Sequence, residues 1–251
     1  IPVLDDAGRL IGLHLMREML GAGRRDNWAV VMAGGRGQRL RPLTDTMPKP
    51  MVKVAGRPIL ERIVLHLVGF GVRRVFVSVN YMAQVIEEHL GDGSALGCRI
   101  EYLREDKPLG TGGALSLLPE PPSLPLLVLN GDLITQFDVG QMFDFHAAGG
   151  YAATMAVHHY AHTVPFGVVE TDAGRICGLR EKPLHSWLVN AGIYVFQPEV
   201  VRRVPPNTAY ALPALVEESL SRSEPVGAFH LDGEWLDIGR HEQLRRARGE
   251  E

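Results

Sequence analysis

Residues 28–33, WAVVMA, form an unbroken apolar run that leads directly into AGGRGQRLRPLT, residues 33–44, where three glycines and three arginines fall within twelve positions. A run without alternation leaves no face for solvent, so it predicts a strand covered on both sides, as in parallel sheets. The segment that follows is nearly free of side-chain bulk and strongly cationic. Exposed backbone amides together with guanidinium forks make it an anion cradle at the end of a buried strand. Taken alone, the same residues also fit an ordinary surface loop.

The remainder of the first half repeats strand and helix. In RPILERIVLHLVGFG, residues 57–71, Ile59, Leu60, Ile63, Val64, Leu67 and Val68 recur at helical spacing, and Gly69 and Gly71 close the helix. RRVFVSVN is the next strand, MAQVIEEHLGDG a short helix with a glycine stop, RIEYL a third strand and PLLVLNGD a fourth. This βαβα rhythm predicts an α/β fold built on an open, mostly parallel, Rossmann-like sheet with helices on both faces. Beyond Gly150 the texture changes. YAATMAVHHY, FGVVETDAGRICGLREK and WLVNAGIYVF predict additional antiparallel strands, with Thr171-Asp172-Ala173-Gly174 as a hairpin turn. Helices return at ALPALVEESLSRS and RHEQLRRARG.

Composition limits what such a sheet can serve. A chain of 251 residues, 45% hydrophobic and 22% charged, suits one large domain or one domain with a short appendage. No apolar run approaches the roughly 18 residues that cross a bilayer, so no membrane segment is expected. The formal net charge is −3 and the basic residues are spread through the chain, which excludes a broad nucleic-acid footprint. Any anion site must be local. Cys98 and Cys177 form no CxxC pair, which points away from a disulfide scaffold or thiolate zinc site and toward a reducing, cytoplasmic setting. The chain begins with Ile, and a missing N-terminal part is expected. Residues 1–25 read as a unit apart from residues 26–251: two short apolar runs flank Asp5-Asp6-Ala7-Gly8, and MREML follows as a helical tail.

Two well-known phosphate loops do not fit residues 33–44. A Walker loop needs GxxxxGK followed by Ser or Thr, and both the lysine and the hydroxyl are absent. A dinucleotide loop needs GxGxxG, but Leu40 stands where the third glycine belongs, and the next strand ends in Ser78, Val79 and Asn80 without an acid. What remains is a glycine loop with unhindered amides, reinforced by Arg36, Arg39, Arg41, Lys49 and Lys53, which suits a triphosphate as well as it suits an ordinary surface loop. His158 and His159 are adjacent on a strand and point to opposite faces, so they read as ordinary histidines, as does His162. Arg245, Arg246 and Arg248 read as a solvated helix tail in its favoured charge position.

AGGRGQRLRPLTDTMPKPMVKVAGRPIL resembles the opening signature of the sugar-1-phosphate nucleotidyltransferases, or NDP-sugar pyrophosphorylases. LGTGGAL, LNGD, FGVVE, REKP, VNAGIYVF and WLDIG follow in that family's order. The resemblance implies a glycosyltransferase-A-like nucleotidyltransferase fold. It implies attack by a sugar-1-phosphate oxygen on the α-phosphorus of a nucleoside triphosphate, with pyrophosphate leaving. It also implies roles. Ala33, Gly34, Gly35 and Gly37 would grip the triphosphate, Arg39 and Lys49 would offset its charge, and Asp132 and Asp237 would hold Mg²⁺. Gly112 and Gly113 would admit the edge of the base, with Gln84 bonding to it. Glu181 and Lys182 would take a sugar hydroxyl and the sugar phosphate, and Gly167 and Asn190 would complete that pocket. The catalytic set so implied is Arg39, Lys49, Asp132, Lys182 and Asp237.

Residues 1–25 are similar to the closing segment of a cystathionine-beta-synthase (CBS) domain; an ordinary hairpin is the other reading. Linkage to such domains resembles the guanylyltransferases, which favours GTP, with UTP as the alternative, and the family resemblance suggests a homodimer. A second function from another class is a nucleotide-sensing module without turnover. The intact Arg39, Lys49, Asp132, Lys182 and Asp237 argue against it.

Overall fold

In the computed structural model, which describes residues 2–4, 10–13 and 23–250, a short antiparallel pair, β1 (Pro2–Leu4) and β2 (Leu10–Leu13), precedes the main sheet. The apolar run is β3 (Arg25–Met32). It is followed by the ribbon β4 (Lys53–Val54) and β5 (Arg57–Pro58), α1 (Ile59–Gly69), β6 (Val72–Val79), α2 (Ala83–Leu90), β7 (Arg99–Arg104), β8 (Leu126–Asn130), β9 (Leu133–Thr135) and α3 (Val139–Ala148). The second half runs β10 (Ala153–Thr163), β11 (Val168–Asp172), β12 (Arg175–Arg180), β13 (Leu184–Phe196), α4 (Pro198–Val201), α5 (Leu212–Ser221), β14 (Val226–His230), β15 (Trp235–Asp237) and α6 (His241–Arg248).

Seven strands form the main sheet in the order β14-β10-β13-β8-β3-β6-β7. Strands β8, β3, β6 and β7 are mutually parallel, while β13 runs antiparallel to both β8 and β10. Register explains why the strands read as apolar throughout. Val30 lies opposite Val128 and Phe76, and Val31 lies opposite Leu129 and Val77. Successive residues face opposite sides of a strand, so these two rows point to different layers. The first row shares a buried cluster with Leu212, Leu215 and Val216 of α5 and Val200 of α4. The second is buried with Leu60, Val64 and Leu67 of α1, Ile86 of α2 and Met142 of α3. Each such side chain contributes about 2 kcal/mol by leaving water. The sheet is therefore covered by helices on both faces.

The hairpin expected at residues 171–174 is the β11–β12 turn, with Ala173 at φ 47° and Gly174 at φ 81°, the two positive values of a two-residue primed turn. Strands β10 and β13 extend past the sheet as a long ribbon, paired from Thr163–Leu184 inward. His158 and His159 go separate ways, one ring 5.4 Å from Trp235 and the other 5.8 Å from His230. The helix α6 is more than a solvated tail. Its Arg248 donates to the Lys53 carbonyl at 3.2 Å, and His241 bonds the Arg41 carbonyl at 2.9 Å, so the helix fastens the segment after β3. Among the described residues no helix is long and apolar enough to cross a membrane. The CBS resemblance depends on residues 5–9 and 14–22, which lie outside the described residues.

Helix α3 has no counterpart in the sequence reading. Its signal is present: Asp138 caps the N-terminus by accepting from the Gln141 amide at 2.9 Å, and Val139, Met142, Phe143 and His146 recur at helical spacing on the buried face. A histidine at the fourth core position obscures the pattern. His146 is fully buried, its Nδ1 bonded to Thr154 Oγ1 at 2.8 Å and its Nε2 without a partner. Burial pushes the imidazole from its ordinary 6.5 down to about 4. Between those values the unfolded chain binds a proton that the native protein does not. Stability is full above about pH 6.5 and falls as pH drops toward 4, by about 3 kcal/mol at roughly 1.4 kcal/mol per pH unit. Urea denaturation at pH 7 and pH 4.5 should show a loss for the wild type that His146→Leu lacks by about that difference.

Candidate active site

The loop after β3 is held by its own first turn. Gly37 is left-handed at φ 60°, and its carbonyl accepts from the Leu40 amide at 2.9 Å and from Thr44 Oγ1 at 2.9 Å. A Cβ at Gly37 would lie 2.8 Å from Lys49 Cβ and 3.0 Å from Thr44 Cγ2, so glycine is required by conformation and by space. The amides of Gly34, Gly35, Arg36 and Gly37 donate to no acceptor among the described residues. They are the donors an anion needs. Ala33 differs: its amide bonds the Ser78 carbonyl at 3.0 Å, which makes it part of the strand-end pairing rather than of the cradle.

Three charged residues distant in sequence meet beside this loop. Lys49 opens a 3₁₀ turn (Lys49–Met51), and its side chain is only 10% exposed. Its ammonium pairs with Asp132 Oδ2 and lies 3.6 Å from Asp237 Oδ1. Asp132 follows β8, and β9 begins at the next residue. Strand β15 pairs antiparallel with β9, setting Asp237 opposite Leu133 and Leu236 opposite Ile134, and the Ile238 amide donates to the Asp132 carbonyl at 3.1 Å. A two-stranded ribbon of three residues per strand thus closes a separation of about a hundred residues, at the carboxyl ends of parallel strands where ligand crevices form in such sheets. Arg39 stands on the same side. Its guanidinium nitrogens lie 3.5 Å from where a Gly239 Cβ would be, and its charge acts on Asp237.

Burial raises the Asp237 carboxyl from its ordinary value, the neighbouring Asp132 charge adds to this, and Lys49 and Arg39 oppose it. Asp132 Oδ1 and Asp237 Oδ1 are both shut off from solvent and accept no hydrogen bond. Buried carboxylate oxygens that accept no hydrogen bond, one of them with only the Lys49 ammonium 3.6 Å away, suit a hard divalent cation such as Mg²⁺, which takes one or two carboxylates and completes its shell with phosphate or water. The residues present fit that ion.

The glycines of LGTGGAL pack closely against a neighbouring segment of the chain. A Cβ at Gly112 would lie 3.0 Å from the Leu212 amide nitrogen, and one at Gly113 would lie 2.5 Å from the Thr208 carbonyl oxygen. Their amides donate to Tyr210 O at 2.9 Å and Leu109 O at 3.2 Å. Both residues are buried, and their lack of side chain serves close packing of this loop on residues 208–212. Gln84, on α2, donates to Glu88 Oε1 at 2.7 Å, an i,i+4 bond on an exposed helix face.

Glu105, which the sequence reading passed over, ties these loops together. Its Oε1 accepts from Ser78 Oγ at 2.5 Å, its Oε2 from the Leu109 amide at 2.8 Å, and its carbonyl from Asn80 Nδ2 at 2.6 Å. A Cβ at Gly34 would touch Oε1 at 2.8 Å. One carboxylate therefore joins the glycine cradle, the end of β6 and the start of LGTGGAL. The available signal was an acid at the end of β7, a parallel strand separated from the cradle's own strand by β6. Glu105→Gln puts an amide donor against either the Leu109 donor or the Ser78 bond, and is expected to cost about 1–2 kcal/mol in urea denaturation.

The residues expected at the sugar are gathered around the β10–β13 ribbon. Glu181 Oε2 lies 3.0 Å from the position of a Gly167 Cβ, so those two meet at the base of the β11–β12 hairpin. Lys182 is exposed in the turn before β13 with φ 43°, a left-handed conformation unusual for lysine. Asn190 bonds Tyr194 Oη at 2.5 Å and accepts from the Gly192 amide at 2.9 Å, shaping an irregularity in β13. The link from this ribbon to the aspartates is Trp235, whose indole N–H donates to Ala191 O at 2.9 Å and whose ring packs on His158, two residues before Asp237.

Residues 28–250 match the nucleotidyl transferase family. The mannose-1-phosphate guanylyltransferase catalytic subunit beta of Danio rerio is 38% identical over 223 residues, covering 84% of this chain and 61% of its own length. The mannose-1-phosphate guanylyltransferase of Mycobacterium tuberculosis is 34% identical over 226 residues, 87% of this chain and 62% of that protein. The UTP--glucose-1-phosphate uridylyltransferase of Synechocystis is 33% identical over 240 residues, 84% of this chain and 60% of that protein. The chain thus spans about six-tenths of the length of the curated relatives it matches. Among solved structures, HddC from Yersinia pseudotuberculosis superposes with a TM-score of 0.69 at 24% identity, covering 89% of this chain and 99% of that one, which is a likeness of fold.

Proposed function

The chain belongs to the nucleotidyl transferase family, and from that premise we propose that it transfers a nucleoside monophosphate from a nucleoside triphosphate to a sugar-1-phosphate. The observation that carries the reading is the meeting of Lys49, Asp132 and Asp237 beside a loop of free amides, with Arg39 on the same side. In the reaction a sugar-phosphate oxygen forms a bond to the α-phosphorus, and the bond to the bridging oxygen of the β-phosphate breaks, its electron pair leaving with pyrophosphate. The attacking oxygen is already ionised, so no general base is needed. Catalysis then consists of bringing two polyanions together in line and offsetting their charge.

The amides of Gly34, Gly35 and Gly37 bind the triphosphate, and Arg39 and Lys49 offset the charge that grows on the α-phosphate and the leaving group. Lys182 and Glu181 orient the sugar-1-phosphate, with Gly167 and Asn190 bordering it. Asp132 and Asp237 would hold Mg²⁺, which when bound supplies neutralising charge at the phosphates. GTP is the proposed nucleotide and mannose-1-phosphate the proposed acceptor, supported by the names of the guanylyltransferase relatives; residues 26–251 form the transferase unit.

The test is pyrophosphate release with Mg²⁺, the four nucleoside triphosphates and a panel of sugar-1-phosphates. Fastest turnover with GTP is the expected result. Preference for UTP would reassign the nucleotide. Nucleotide binding without release of pyrophosphate from any pair would replace the transferase by a sensing module.

A further inference from the structure

Between Asp132 and Asp237 the protein places a cation of its own. Lys49 is the one buried lysine or arginine among the described residues, and its ammonium pairs with Asp132 and approaches Asp237 to 3.6 Å. The stem starts at the phosphate cradle, where its Cβ lies 2.8 Å from the position of a Gly37 Cβ. The side chain thus spans the gap from cradle to carboxylates. Its flexible four-carbon stem has rotatable bonds between that anchored Cβ and the ammonium. The pairing is incomplete: Asp132 Oδ1 is buried without a hydrogen bond, and Asp237 Oδ1, also buried, has the ammonium only at 3.6 Å, beyond hydrogen-bond distance.

Resting on the reading above, we infer that Lys49 is the resident counter-ion of the aspartate pair: it keeps the two carboxylates together in the metal-free protein and is displaced toward the glycine cradle when a divalent cation enters. Single and double positive charges a few ångströms apart in a partly dry site repel strongly, so the two cannot share the carboxylates at contact distance. A divalent cation entering alone must work against the ammonium. A triphosphate in the cradle removes that opposition by giving the ammonium a new partner. Metal affinity is accordingly low without nucleotide and rises with it.

Two measurements on nucleotide-free protein test this without reading turnover. In Mn²⁺ titrations followed by electron paramagnetic resonance, Lys49→Met should bind at least about ten-fold more tightly than the wild type, since one opposing charge has gone. Equal or weaker binding by Lys49→Met would overturn the inference. The second measurement uses the wild type alone and decides the matter if the variant does not fold. The chain has four lysines, Lys49, Lys53, Lys107 and Lys182, of which the last three are exposed. Acetylation by an N-hydroxysuccinimide ester, read by mass spectrometry, should be slow at Lys49 without metal and several-fold faster at saturating Mn²⁺, with the other three unchanged. Labelling of Lys49 that ignores the metal, in a protein that turns over normally in the nucleotide panel, removes the inference and leaves the transferase reading standing. The expected Mn²⁺ and labelling responses in a protein inert across that panel do the reverse.

Discussion

Asp132→Ala is expected to lower kcat/KM for pyrophosphate release by about a thousand-fold or more, the size of effect seen when a charge-stabilising group is removed from a preorganised site. Asp132 is the direct partner of the Lys49 ammonium, and its other oxygen is buried and unpaired. The substitution takes away one of two proposed metal oxygens and also leaves a buried ammonium with a single carboxylate 3.6 Å away. Losing one partner of a buried pair is costly, so some stability goes as well, about 2 kcal/mol after discounting for the partial exposure of both aspartates. Asp132→Asn separates the two consequences. It keeps the volume and a neutral acceptor for the ammonium, so it should lose less stability than the alanine variant while turnover remains near the alanine level. Retention of more than a tenth of wild-type activity by Asp132→Ala would remove this aspartate from the reaction.

Gly37→Ala is the second large effect, and it acts through geometry. A non-glycine residue held at φ 60° costs about 1 kcal/mol, and the added Cβ meets Lys49 Cβ at 2.8 Å and Thr44 Cγ2 at 3.0 Å, overpacking that costs a further 1–3 kcal/mol. A loss of about 3 kcal/mol in urea denaturation is expected. Relief of the clash pushes the Lys49 stem aside, so activity should fall at least about a hundred-fold, since misplacing a positioned group by an ångström costs that much. Gly35→Ala is the internal comparison. No heavy atom lies within 4 Å of its added Cβ, so stability should change little, and any loss of activity there reports an incoming ligand. Equal stability of the two variants would contradict the account of the loop.

The parallel strands were legible because each faces two apolar layers. WAVVMA and PLLVLNGD carry no polar alternation, and their residues alternate between two buried clusters. The β11–β12 turn was legible because Gly174 takes a positive φ without steric cost; Ala173 beside it is also left-handed, against its own preference. Helix α3 escaped because its pattern passes through a buried histidine. Within the site, the glycine cradle, Lys49 and the two aspartates could be named from motif order. The close packing of Gly112 and Gly113 on residues 208–212 could not, because a glycine run looks the same whatever segment lies against it. Glu105 stood in no motif, and its three bonds reach residues as far as 27 positions away.

Local chemistry alone determined the elements: period, turn residues and charge act over a few positions, so the buried strands, the amphipathic helices and the cationic glycine loop follow from the order of residues. The site is another matter. Lys49 and Asp132 meet across 83 residues, and Asp237 joins them only because β15 pairs with β9 in one register of several its short length allows. Which carboxylate takes the ammonium, and which oxygens are left buried and unpaired, depends on where the packed sheet halts each strand. Those are relations of distance and dielectric between remote segments, and only the folded chain fixes them.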